Sequence, residues 1–317
     1  MKVTLKLAII LILIVSSCQS RIVNGQLKNV GMLLPDTVDD EVWNSKGYEG
    51  LLQIQSTYDV DVFYKESIDT ESEIRQALEE FSEEDVNLVF GHGNIYAPFF
   101  LNMKKEFPEM DFVTFNGDST DPLITNIQFE GKAMGFFAGM VAAEMSKTKQ
   151  IGVIAAFPWQ PEVEGFQQGA KNARPEVVVN VGFVHDWGDK ETAEILFRDF
   201  IAKGVDVFFP AGDGFNIPLI QKVKREGLFA IGYVSDQLYL GKETILTSTV
   251  QHVDKIYVTI ADQYNKGVLE KGTIRVDFAD GAISLGEFSP VVPESLEKDV
   301  KADVQRYIET GKLPETP

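Results

Sequence analysis

The sequence predicts an α/β protein of two Rossmann-like lobes, each a parallel sheet covered by helices. Three observations carry that expectation. Behind an N-terminal leader lie roughly 300 residues, more than one hydrophobic core usually sustains, so two lobes are the default. Apolar β-type runs alternate with segments of helical periodicity, a rhythm that implies strands running parallel with both faces covered. The rhythm then starts afresh halfway along the chain. Composition agrees, because 44% hydrophobic and 11% aromatic residues suit a packed globule rather than a solvated tail.

The leader comes first. Lys2 and Lys6 precede an unbroken apolar run from Leu7 to Val15, too short to cross a bilayer, which needs about 20 residues. That is the layout of a secretion signal. The run ends in Val15-Ser16-Ser17-Cys18, and Cys18 is the only cysteine in 317 residues. A disulfide needs a partner and a thiolate metal site usually takes two or more sulfurs, so neither applies. Two readings stay open: a bacterial lipobox, whose cysteine is acylated and becomes the new N-terminus, or a plain signal peptide with an incidental thiol. The lipobox accounts for the thiol's position, and two or more acyl chains would give stable anchoring. Residues 1–18 are therefore expected to be signal peptide and lipobox, and 19–27 a polar tether.

The first lobe opens with VGMLL (30–34), VDVFY (60–64), VNLVF (86–90) and DFVTF (111–115). Between the second and third lies ESEIRQALEEF (71–81), whose Ile74, Ala77, Leu78 and Phe81 recur at helical spacing. A small-residue helix, GKAMGFFAGMVAAEMS (131–146), divides the halves. After it come IGVIAAF (151–157), VVVNVGFV (177–184), VDVFFPA (205–211) and FAIGYV (229–234). TILTSTVQ (244–251) adds a strand, a helix follows from about Val253 to Tyr264, IRVDFADGAISLGEF holds two strand-like runs, and a charged helix starts near Glu294. These late elements are too few for a third domain, so they are expected to complete the first two. The expected boundaries are 28–129 plus about 247–270 for lobe 1, and about 130–246 plus about 271–317 for lobe 2.

The formal charge is −19, with 48 acidic against 29 basic residues and no basic cluster to offset the excess. Such a surface repels phosphate backbones, so direct nucleic-acid binding is disfavoured. No catalytic constellation stands out. There is no G-x-S-x-G, and His92, His185 and His252 are too scattered for a close-spaced metal set. GHGN (91–94) and AGDG (211–214) follow strands but complete neither G-x-G-x-x-G nor a P-loop, and tight βα turns explain them as well. No enzyme activity, cofactor or metal is expected. Paired acids such as Asp39-Asp40 read as solvated surface or helix caps.

Polar and aromatic residues do accumulate at the carboxyl ends of the expected strands, the edge that faces the ligand crevice in open α/β sheets. They are Asp36, His92, Asn116, Phe157, Trp159, His185 to Trp187, Asp213, and Ser235-Asp236. Each alone is ordinary for an exposed strand end; together they favour a cleft between lobes. Trp43 and Trp187 are suited to covering a flat ring, and equally to packing in a core.

DDEVWNSKGYEGL (39–51) resembles the D-x-S-F-N-x-x-x-x-x-G signature of the basic membrane protein lipoproteins, also called PnrA-like. GFFAGMVAAEMSKTKQIGVIAAF, FQQGAK, PAGDG, AIGYVSDQ and TSTVQHVDK follow in that family's order, so the resemblance covers nearly the whole mature chain. It implies a type I periplasmic-binding fold, two lobes joined by three crossover hinge segments that close on a ligand, and delivery of purine nucleosides to an ABC importer. Within the family MLLPDT, KGYEGLL, WQPEVEGF, IGYVSDQ and STVQHVDK look most like a lipoprotein described as a positive regulator of competence gene expression.

Carrying the family's site across gives a mixed picture. The base-stacking aromatic falls on Trp43, with Asn44 beside it, and the facing aromatic on Trp187. The ribose grip changes: an aspartate is replaced by Asn116, the first aspartate of G-V-D-x-D-Q by Val234, and the lysine of S-x-x-K by Gln251. Each lost charge-assisted bond is worth roughly 1.5 to 3 kcal/mol, and losing all three would cost several decades of affinity. Asp36 is expected at the cleft from lobe 1, and Asp213 either to orient the ligand or to brace a turn. The resemblance therefore implies a membrane-anchored, extracytoplasmic binding protein with an altered nucleoside pocket and an indirect regulatory role, heard by a permease or signalling partner, against two alternatives: nucleoside import, or direct activation of transcription on DNA.

Overall fold

A computed structural model describes residues 26–39 and 42–315. The leader, Cys18, most of the expected tether and Asp40 lie outside the described residues. Strands and helices alternate from the start: β1 (Asn29–Leu33), α1 (Trp43–Tyr58), β2 (Val62–Lys65), α2 (Glu71–Glu83), β3 (Val86–Gly91), α3 (Tyr96–Met103), β4 (Asp111–Phe115) and β5 (Thr125–Phe129). With β11 (Gly272–Val276) they form a six-stranded parallel sheet of order β11-β5-β4-β3-β1-β2. The second unit runs α4 (Gly131–Met145), β6 (Gln150–Ala155), α5 (Pro161–Ala173), β7 (Val178–Phe183), α6 (Lys190–Ala202), β8 (Val207–Ala211), α7 (Asn216–Arg225), β9 (Phe229–Gly232) and β10 (Ile245–Gln251). Its sheet has the order β12-β10-β9-β8-β6-β7, in which only β12 (Ile283–Leu285) runs antiparallel, against β10. The remaining helices are α8 (Val253–Asn265) and α9 (Glu294–Thr310).

The sheets place the chain crossings differently from the expected boundaries. β10 stays in the second sheet up to Gln251, α8 packs on α1 of the first lobe, and β11 pairs with β5. The return to lobe 1 thus begins at His252, not near 247, and the last departure follows Val276, not 270. Backbone bonds tie the crossings together: Glu130 N donates to Val276 O at 3.0 Å and His252 N to Ala282 O at 2.8 Å. A third tie comes from α9, where the Tyr307 hydroxyl donates to Asp277 at 3.2 Å.

One strand was absent from the sequence reading. β5, TNIQF, carries polar residues at positions that are fully buried, so no apolar run announces it. Its polar groups are satisfied internally. Asn126 Nδ2 donates to Gly117 O at 2.7 Å and its Oδ1 accepts from Gly117 N at 3.0 Å, while Thr125 Oγ1 donates to Glu270 O at 2.8 Å.

The small-residue helix α4 is buried on nearly all sides and packs against α5. Glycines make that approach possible. A Cβ on Gly135 would lie 2.1 Å from Glu162 O, one on Gly139 2.2 Å from Phe166 O, and one on Gly169 1.8 Å from Phe136 O. No side chain fits there, so the two backbones meet directly and lobe 2 has a rigid spine behind its sheet.

Candidate functional site

The cleft's first-lobe half is built around Trp43. The residue opens α1, and its N-cap, Val42, has no side chain to accept from the first helical N–H groups. The other lobe supplies an acceptor instead. The Asp213 carboxylate takes the Trp43 N–H at 3.2 and 3.3 Å, a negative charge on the positive end of a helix. The two lobes therefore touch at this point of the cleft.

Beneath Trp43 lies His92, fully buried at the end of β3. Its ring stacks under the indole at 4.8 Å and 20°, and Phe115 and Phe129 meet the indole edge-on, each at 6.1 Å. Chemistry fixes the tautomer. The Trp43 carbonyl can only accept, so His92 Nε2–H donates to it at 2.9 Å, and Nδ1 accepts from the Tyr257 hydroxyl at 2.7 Å. Burial lowers the His92 pKa to about 4, outweighing the opposing bond to Trp43, so the imidazole is neutral at physiological pH. Gly47 exists for this ring: a Cβ there would lie 2.5 Å from His92 Cε1.

Other first-lobe candidates are placed less centrally. Asn44 is buried and its Nδ2 donates to Thr37 O at 3.0 Å, tying α1 to the loop after β1. Asp36 is exposed. Asn116 is exposed too, at a positive φ of 54°, with its Oδ1 accepting from Phe129 N at 3.3 Å.

On the second lobe the loop after β8 brings Asp213 to the cleft, and Gly214 N donates to Trp187 O at 3.0 Å. Trp187 is 37% exposed and packs edge-on against Phe157 and Trp159 at 5.3 and 5.8 Å. Its ring contacts are with these two, and those of Trp43 are with His92, Phe115 and Phe129. The expected pair thus flanks one cleft without ring contact. Val234 is buried at φ 63°, a region costly for a β-branched residue, with Ser235 N donating to Tyr233 O at 2.7 Å across it. Gln251 N donates to Val234 O at 2.8 Å, and Gln251 Oε1 is buried without a hydrogen-bond partner.

Behind this edge sits a buried acid that sequence reasoning missed. Glu162 accepts from the Tyr233 hydroxyl and from Gln160 Nε2, each at 3.0 Å. Burial raises its pKa against the pull of these bonds. Gln160 Nε2 also donates to Ala211 O at 3.1 Å, and its Oε1 accepts from Phe157 N at 2.7 Å, so one network joins the ends of β6, β8 and β9. Among the described residues no group of three or more His, Cys, Asp or Glu side chains is placed to hold a metal ion. Two surface cavities, about 410 Å³ near Lys28 and Tyr264 and about 590 Å³ beside α5 and Leu313, lie away from the cleft.

Two sheets in tandem, three crossings and a cleft lined from both carboxyl edges define a two-lobed substrate-binding protein of the periplasmic type. Solved structures share that architecture: an ABC transporter solute-binding protein from Conexibacter woesei superposes with a TM-score of 0.73 at 18% identity, covering 91% of this chain and 99% of its own. Residues 27–317 match the Bmp family, described as ABC transporter substrate-binding protein PnrA-like, and the chain belongs to that family. The transcriptional activator protein Med of Bacillus subtilis is 48% identical over 303 residues, 96% of each chain. A crystal structure described as a transcriptional activator of the comK gene from Bacillus halodurans matches with a TM-score of 0.84 at 47% identity, covering 90% of this chain and 99% of that one. Basic membrane protein A2 of Borrelia garinii is more distant, 23% identical over 290 residues.

Proposed function

We propose that the chain is a lipid-anchored, extracytoplasmic ligand-binding protein that acts as a sensor, with a Med-like positive effect on competence gene expression by an indirect route. The observation that carries this reading is the cleft itself. It holds an aromatic platform at Trp43, while the positions that the family resemblance aligns with a sugar grip carry Asn116, Val234 and Gln251. The Med likeness supports a regulatory output, and a charge of −19 argues against contact with DNA. Anchoring rests on Cys18 and its leader; among the described residues no helix is long and apolar enough to cross a membrane.

Calorimetry with guanosine and adenosine tests the altered pocket: no tight binding is expected, and a submicromolar dissociation constant would overturn it. Membrane fractionation with palmitate labelling tests the anchor, since Cys18→Ser should release the protein and abolish the label. Import is the second reading, favoured by the family description. Deleting the gene would then slow growth on scarce nucleoside, and unchanged uptake would dismiss it. A specific, salt-sensitive gel shift by the mature domain would instead establish direct DNA binding.

A further inference from the structure

Among the described residues, the second lobe holds buried amide atoms without a hydrogen-bond partner. Asn216 opens α7 and is fully buried, yet neither its Nδ2 nor its Oδ1 has a hydrogen-bond partner. Gln237, also fully buried, uses its Oε1 to accept from Tyr233 N at 3.0 Å and leaves Nε2 unpaired. Gln251 adds the unpaired acceptor Oε1. Asn216 and Gln237 follow β8 and β9 and Gln251 ends β10, three consecutive neighbours in the sheet, at its carboxyl edge. Asn216 lies three residues beyond Asp213, the group that touches Trp43 across the cleft.

Native proteins pair nearly all buried polar atoms, and an orphaned cluster calls for a partner that the polypeptide does not supply. These groups are neutral, and the Asn216 amide alone offers an unpaired donor and an unpaired acceptor on one edge. An anion would meet Asp213 and a net charge of −19; a sugar would find valine at 234 and an exposed, committed asparagine at 116. A primary amide matches the donor–acceptor edge of a lactam or nucleobase in two parallel bonds. Trp43 supplies the flat face such a ring needs.

We infer that Asn216, with Gln237 and Gln251, forms the specificity-determining edge of the cleft, and that the ligand is an uncharged planar ring with a lactam-type edge and no sugar. This rests on the ligand-binding reading above. Isothermal calorimetry on the mature protein would compare hypoxanthine and uracil with inosine and uridine. At least one free base should bind ten times or more tighter than its nucleoside, and Asn216→Ala should weaken that binding at least tenfold. Asn216→Leu should raise the melting temperature of the unliganded protein, because it removes buried unpaired amide atoms, while abolishing the ligand-induced shift.

Tighter binding of the nucleosides, or unchanged base binding by Asn216→Ala, would overturn the inference, as would a fall in the unliganded melting temperature of Asn216→Leu. Native mass spectrometry of protein from its own host separates the two levels. A retained charged or sugar-bearing molecule refutes the lactam edge and leaves ligand binding standing. An empty cleft, with no response to any of the four probes, refutes both.

Discussion

The two walls of the cleft are finished to different degrees. On the first lobe Trp43, His92 and Tyr257 form a closed chain in which stacking, donors and acceptors are all matched within the protein. On the second, Trp187 is partly exposed, Val234 sits at positive φ, and three amide side chains hold unpaired atoms. Strain and unsatisfied polarity concentrate where a protein must meet something else. One wall is therefore closed within the protein, and the other holds the unmatched polar atoms on which the inferred discrimination rests.

That contrast can be broken at its largest where lobe 2 is stiffest. Gly169→Ala drives a methyl into the Phe136 carbonyl, and it should cost about 3 kcal/mol or more in chemical denaturation, since two backbones cannot repack. The softness of the second wall is thus confined to its edge.

Acid comes next and affects the walls in opposite directions. The His92 pKa, about 4 in the folded protein, lies below the ordinary 6.5, so its contribution is complete above pH 6.5 and is lost as pH falls toward 4. Denaturation across that window should show a loss of about 3 kcal/mol from this group. His92→Gln should remove the loss. Glu162 has a raised pKa, so its contribution is present below the usual carboxylate value and disappears as pH rises through the folded one. Against the His92→Gln background, Glu162→Gln should remove a contribution that grows on acidification, so the double variant should lose more stability than the single one as pH falls.

Asp213→Asn sharpens the comparison at the point of contact. It removes a negative charge from the start of α1 and should weaken the lobe–lobe contact by about 0.5–1 kcal/mol. Small-angle scattering would report a larger radius of gyration. Least affected should be stability on Trp187→Ala. The ring is partly solvated, and a loss below about 1 kcal/mol is expected, well under that of Trp43→Ala in the same assay.

The fold was legible because its signals are repetitive: β4 falls on residues 111–115 as read, and α2 carries the same buried Ile74, Ala77, Leu78 and Phe81 that set its period. β5 escaped because internal hydrogen bonds let polar residues fill a buried strand. The crossings were misplaced because strand and helix patterns do not say which lobe receives them. At the site, Trp43 was visible as an aromatic in a signature, but its support by His92 was not, since a histidine after a strand looks the same whether buried or solvated. Asn216 carried even less signal, one asparagine at the start of a helix. Only enclosure shows that its amide lacks a partner.

The placement of β11 has a consequence for how the molecule is made. Translation delivers the amino-terminal strands first, yet the edge strand that finishes their sheet is drawn from residues 272–276. The lobe that emerges earlier must wait, its flank at β5 uncovered, until almost the entire polypeptide exists, and the second sheet waits longer still for β12 at residues 283–285, so the last-made segments complete both halves.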